Sequence, residues 1–221
     1  EVLRGQLGIS AVKDGCSPQG QCGCCTVLVD GVARVACVTP VRRVAGRSIT
    51  TPMGIEPALR DRLVDAFEAT AASQCGFCTP GIIMRLAAIP AAQRSDATVR
   101  QALLAHLCRC TGWQGIVEAV TSTADPPPAR DLDLASTRAT IEGRTAQRVG
   151  PDVVLGQTAF ASDTAPADAL VAIPRPEGSA AASVTAAGIE WVVADTLAEA
   201  RNRGYSPATP GVTRRHRKPR A

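Results

Sequence analysis

The 221-residue chain is poor in aromatics: three Phe, two Trp and one Tyr make up 3% of it, against 45% apolar residues in all. Any core must therefore rest on Val, Leu, Ile and Ala. It has two histidines, no Ser-His-Asp set and no phosphate-binding loop, which leaves no site for chemistry on a substrate. No run approaches the roughly 18 consecutive apolar residues of a membrane span, and the N-terminus lacks a basic segment followed by an apolar one. The chain therefore reads as soluble and cytoplasmic, with no membrane span, in a compartment that disfavours disulfides.

Acidic residues are missing from Val212–Ala221, which carries Arg214, Arg215, Arg217, Lys218 and Arg220. These five cations exceed the formal net charge of +4 and leave the rest of the chain at −1. The basic end reads as a solvated, disordered tail, and no nucleic-acid partner is expected.

What the chain has in quantity is cysteine. Nine is an odd number, and in this compartment metal binding is the better use for thiols. Cys16, Cys22, Cys24, Cys25 and Cys37 form one group, and Cys75, Cys78, Cys108 and Cys110 another. An iron–sulfur cluster needs four converging thiolates, which a tight loop carrying three of them, plus one from further along, can supply. Taking Cys16, Cys22, Cys25 and Cys37 as ligands leaves intervals of five, two and eleven residues, whereas plant-type ferredoxins begin with four and two. Gly15, Gly20 and Gly23 suit a loop whose N–H groups must approach sulfur closely. A zinc site of four cysteines is the alternative for this group, since a two-residue gap also suits tetrahedral zinc. Cys24 is an alternative to Cys25 as ligand; a neighbour in a looped chain points elsewhere, which makes Cys24 a buried filler or spare thiol.

The segments around these thiols differ in style. In residues 1–52, "EVLRGQL" reads as a short helical segment. "TVLVDG" and "VARVACVTPV" form a hairpin turning at Asp30-Gly31, and "RSIT" is a further strand. In residues 53–124, four helices are expected. "GIEPALRDRLVDAFEAT" spaces Leu59, Leu63, Ala66, Phe67 and Thr70 helically, and "TPGIIMRLAAI" opens with Thr79 as cap and Pro80 behind it. "SDATVRQALLAHL" is capped by Ser95 or Asp96, and "GIVEAVTSTA" stops at "DPPP". Residues 125–148 read as a linker. In 149–221, "DVVLGQTAF" and "LVAIP" read as strands and "GIEWVVADTLAEARNRG" as a strand and helix. Two helix-end loops, Cys75–Cys78 and Cys108–Cys110, can thus meet around one cluster.

Taken together, "GCSPQGQCGCCTVLVDGVARVACV", "QCGFCTPGIIM" and "HLCRCTGWQGIVEAV" resemble the iron–sulfur subunit of the xanthine oxidase family of molybdenum hydroxylases over residues 1–120. The resemblance implies an α+β architecture: a plant-type ferredoxin-like β-grasp domain, truncated here, then a four-helix [2Fe-2S]-binding domain, a linker and a partial α/β segment. It implies two [2Fe-2S] clusters, the outer held by Cys16, Cys22, Cys25 and Cys37 and the inner by Cys75, Cys78, Cys108 and Cys110. Gln74 and Cys110 would face a molybdopterin carried by a large subunit or a further part of the chain. Electrons would pass from molybdenum to the inner cluster, then to the outer one, then to an external acceptor such as an FAD subunit, a cytochrome or a quinone. The overall reaction would be hydroxylation of an aldehyde or N-heterocycle.

Several features depart from that family. "CSPQGQC" has one residue more, Cys24 stands where Ala is common, and "GWQGI" replaces a Tyr and Pro. The segment resembling the family opens without the preceding β-hairpin, so the sheet is expected to lack two strands and to leave open edges. "RVGPDVVLGQTAFASDTAPADALVAIPRP" resembles the opening of the large subunit, as in a fused chain, the alternative being an unrelated Ala/Pro-rich extension. His106 is expected to pack or lie on a helix surface, and Trp113 to anchor packing. Two other functional classes remain in play: a zinc-stabilised interaction module with an acidic partner, and a non-functional fragment.

Overall fold

A computed structural model describes residues 2–16, 18–121, 131–146, 150–158, 160, 166 and 168–205. The expected basic tail, the "DPPP" stop and both ends of the expected linker lie outside the described residues. The chain divides into two compact units, Glu1–Asp163 and Thr164–Ala221. Among the described residues no helix is long and apolar enough to cross a membrane.

In the first unit, β1 (Thr26–Val29) and β2 (Val32–Val35) form the expected hairpin. Asp30 and Gly31 both take positive φ, 49° and 79°, the combination that lets a two-residue turn follow the strand twist. A short third strand, β3 (Ile49–Thr50), pairs on the other side of β1, giving the antiparallel order β2-β1-β3. Asp30 fixes its approach, because Ser48 N donates to Asp30 Oδ1 at 2.9 Å. Val27 and Val29 face a small core with Val12 and Cys25. The opening residues make one wide helical turn, Val2–Gln6, tied down by Arg4, which donates to the carbonyls of Ser10 and Val12.

The four expected helices are α1 (Pro57–Ala69), α2 (Thr79–Ala87), α3 (Asp96–Ala102) and α4 (Gln114–Thr121). Glu56 caps α1 by accepting from Ala58 N and Leu59 N, with Pro57 behind it. Of the two candidates for capping α3, Ser95 does so. At α2 the expectation is corrected: Cys78 occupies the cap, and Thr79 is the first helical residue. Thr79 is buried, and its hydroxyl pairs with Ser73 Oγ at 3.0 Å instead of with a backbone N–H. Helix α2 is the centre of the main core. Ile82, Ile83, Met84 and Leu86 are wholly enclosed with Phe67, Val99 and Ile116, so the scarcity of aromatics is met by aliphatic packing. Helix α3 ends before the run "LLAHL" is used up, because the chain bends at Leu103, whose carbonyl accepts from His106 N.

Two α-helical segments of the first unit were not anticipated. The expected linker contains α5 (Leu132–Ile141), capped by Asp131, with Leu134, Arg138 and Ile141 among its exposed residues. The expected strand in "DVVLGQTAF" is instead one helical turn, α6 (Pro151–Val154). Pro151 presets the helical φ, and Gly156 at φ 73° ends the turn. The apolar run is buried as one face of that turn, with Val154 and Leu155 joining the main core.

The second unit is a three-stranded antiparallel sheet, β4 (Val171–Pro174), β5 (Val184–Ala186) and β6 (Ile189–Ala194), in the order β4-β6-β5. Helix α7 (Leu197–Gly204), capped by Thr196, packs on β4 and β6. Strands β4 and β6 and helix α7 fall where the sequence suggested, while β5 was not foreseen.

Candidate metal centres

The hairpin register assembles half of the first group. Thr26 pairs with Val35, so the residue before β1 meets the turn after β2: Ala36 N donates to the Cys25 carbonyl at 3.1 Å, and Cys37 N to Cys25 Sγ at 3.4 Å. The other half comes from the loop before β1. Cys16 Sγ accepts from Gln19 N at 3.3 Å and interacts with the Cys22 thiol. A Cβ on Gly15 would lie 3.0 Å from Cys22 Sγ and 3.2 Å from Cys24 Sγ, so glycine here leaves room for sulfur. The N–H of Gln21, with those of Cys22 and Gln19, draws the Cys16 thiol down to about 6, while burial pushes Cys25 up to about 12.

The second group gathers at helix ends. Cys75 and Cys78 flank the turn into α2, and Cys108 and Cys110 follow α3. Cys78 interacts with Cys108, and Cys75 with Cys110. Cys78 is buried, and burial raises its pKa. Cys108 is lowered although burial opposes this, because Thr111 brings both its hydroxyl, 3.0 Å from Cys108 Sγ, and its N–H, and Cys110 adds another N–H. Burial and the neighbouring Cys75 raise Cys110. Cys75 and Cys110 are exposed and Gln74 is half-buried, so this edge of the second group opens outward.

The two groups share a joint that the sequence did not advertise. Leu107 N, next to Cys108, donates to the Cys22 carbonyl at 3.0 Å. His106, 2% exposed, sets its Nε2 3.2 Å from Thr26 Oγ1, whose hydroxyl donates to the Gly23 carbonyl at 2.7 Å. His106 thus packs inside, and burial, assisted by the Arg85 charge, holds its pKa down to about 4. Helix α2 meets the first loop backbone to backbone: a Cβ on Gly81 would sit 2.3 Å from the Gly23 oxygen. Cys24 is buried in the main core beside this contact, its S–H directed at the Cys22 carbonyl 3.7 Å away. Trp113 packs partly buried against the same core. Thr26, Gly81 and Thr111 escaped the sequence reading; the only local signal was the placing of Gly81 and Thr111 directly behind cysteine motifs.

Among the described residues no three or more His, Cys, Asp or Glu side chains are grouped to hold one metal ion. Side-chain interactions link Cys22 with both Cys16 and Cys24, Cys25 with Cys37, Cys78 with Cys108 and Cys75 with Cys110, and Cys25 also feels Cys22, Cys78 feels Cys75 and Cys110 feels Cys108. Interacting soft sulfur donors within each group, with N–H groups directed at sulfur, fit the demands of an iron–sulfur core.

Residues 51–121 match the family described as [2Fe-2S] binding domain. The xanthine dehydrogenase iron-sulfur-binding subunit of Escherichia coli O157:H7 is 42% identical over 125 residues, covering 54% of this chain and 77% of that protein. The aldehyde oxidoreductase of Megalodesulfovibrio gigas is 43% identical over 144 residues, which is 61% of this chain and only 16% of that longer protein. The crystal structure of the aldehyde oxidoreductase from Desulfovibrio desulfuricans superposes with a TM-score of 0.60 at 30% identity, over 79% of this chain and 21% of that one. On this likeness the chain belongs to the [2Fe-2S] iron–sulfur subunits and domains of the xanthine oxidase family of molybdenum hydroxylases.

Proposed function

We propose that this chain carries electrons through two [2Fe-2S] clusters, from a molybdopterin centre on a large subunit or domain to an external acceptor. The observation that carries this reading is the gathering of the cysteines into two interacting groups, joined by the bond from Leu107 N to the Cys22 carbonyl. Cys16, Cys22, Cys25 and Cys37 would hold one cluster and Cys75, Cys78, Cys108 and Cys110 the other. When bound, such clusters supply storage of one electron each at low potential.

The protein's own part is to hold, space and solvate. Backbone N–H groups at Cys16 and Cys25 and the Thr111 hydroxyl at Cys108 offset negative charge on sulfur. The first quartet is enclosed around Cys22 and Cys25, while the second keeps Cys75 and Cys110 toward the outside. That open edge, with Gln74 beside it, is where the molybdopterin-bearing partner would dock, so electrons would enter at the second quartet and leave by the first. An FAD subunit or a cytochrome would receive them. The chain covers a small part of the aldehyde oxidoreductases it matches; the hydroxylation of an aldehyde or N-heterocycle is proposed for the whole enzyme.

The test is to purify the chain anaerobically and measure iron, acid-labile sulfide and zinc, with an EPR spectrum after dithionite. About four iron and four sulfide per chain with two distinct signals are expected. Zinc without sulfide would overturn the reading in favour of a zinc-stabilised module.

A further inference from the structure

Thr111 addresses the Cys108 sulfur twice, with Oγ1 at 3.0 Å and its own N–H at 3.5 Å. Trp113 N donates to Thr111 Oγ1 at 3.4 Å and occupies one of its two lone pairs; a Cys108 sulfur that ligates iron carries no proton, so the bond between the two is then donated by the hydroxyl. Trp113 can reach back because Gly112 and Trp113 both adopt positive φ, 66° and 73°. For glycine this is easy; for a bulky side chain it is strained and persists only where the surroundings enforce it. A strained residue thus orients a hydroxyl at a sulfur. In the first quartet, Cys16 and Cys25 are met by backbone N–H groups at 3.3 and 3.4 Å.

We propose that Thr111 sets the reduction potential of the second cluster, its hydroxyl, oriented by Trp113 N–H, donating to Cys108 Sγ. This rests on the reading that Cys75, Cys78, Cys108 and Cys110 hold a [2Fe-2S] cluster. One electron, from the reduced molybdopterin centre or from dithionite in a titration, enters that cluster. Thr111 keeps its proton, and no bond to it forms or breaks. The added negative charge spreads onto the ligand sulfurs, where a donor stabilises it more strongly than before reduction. The hydroxyl therefore raises the potential, favouring the cluster that would stand first in line.

The experiment compares the full chain with T111V, which keeps shape and loses the hydroxyl, and with T111S, which keeps the hydroxyl. Iron and sulfide are assayed and both EPR signals followed in a dithionite titration. Expected are wild-type iron and sulfide in both variants, one signal titrating at lower potential in T111V with the other unmoved, and wild-type potentials in T111S. Unchanged potentials in an iron-replete T111V, or an equal shift in T111S, would overturn the proposal. Should T111V fail to load iron, T111A replaces it; failure of both would also overturn it, since the hydroxyl would then serve folding and not potential. A wild type without iron and sulfide strikes the cluster reading itself and is told apart by that assay.

Discussion

Gly81 has no room for a side chain. Its Cβ would lie 2.3 Å from the Gly23 oxygen and 2.8 Å from Cys24 Cα, both backbone atoms that cannot turn aside. Gly81→Ala should cost about 2–3 kcal/mol in a urea melt, while Gly5→Ala, with nothing within 4 Å, should stay within about 0.5 kcal/mol. Cys24 and Cys25 offer a second comparison. Cys24 directs its thiol at a carbonyl, and Cys25 meets Cys37. Iron analysis should therefore find the wild-type content in Cys24→Ala and a marked loss in Cys25→Ala; the reverse would make Cys24 the ligand. The division of the cysteines into two groups is visible in their spacing. The joint between the groups is not, because His106 and Gly81 belong to no periodic pattern and matter only through contacts across the fold.

At the scale of the element, local signals served best where the chain is its own context. The Asp30-Gly31 turn and the cap at Ser95 depend on neighbours in sequence and fell into place. "DVVLGQTAF" failed because a short apolar run suits a buried strand and a buried turn alike, and only its neighbours α1 and α2 decide. Glu56 supplies a pH-dependent test. The N–H groups of Ala58 and Leu59 hold its carboxyl below the ordinary glutamate range. A depressed pKa means a contribution that is present above the unfolded value, about 4.3, and is lost as the pH falls through the folded one. Glu56→Gln should therefore melt below the wild type at neutral pH, and the gap should close in acid; a gap constant with pH would leave the carboxylate no role.

Across the whole first unit, residues 150–158 and Phe160 lie over both cysteine-bearing parts. Val153 presses on Gly76, where a Cβ would meet it at 2.5 Å, and Gly156 packs on Pro80 and Ala11. Phe160 stacks edge-on against Phe77, centroids 5.1 Å apart, with the Lys13 ammonium 5.0 Å from its ring. Lys13 is 1% exposed, so removing the ring disturbs a buried charge as well as a stack. Phe160→Ala should lower stability by about 1–3 kcal/mol, read by urea denaturation, and limited proteolysis should then cut more readily around residues 150–160. Sequence alone could not reveal this cover, since no pattern in it names its partners.

The bond between Thr26 and His106 spans 80 positions in the sequence. During synthesis, the first loop emerges with its cysteines long before the residues that close over Gly23, and closing so long an interval is slow compared with forming a helix. The earliest thiols made would thus be among the last to be properly housed. Maturation would be expected to begin only once the chain has passed Cys110, with both sites then becoming competent together.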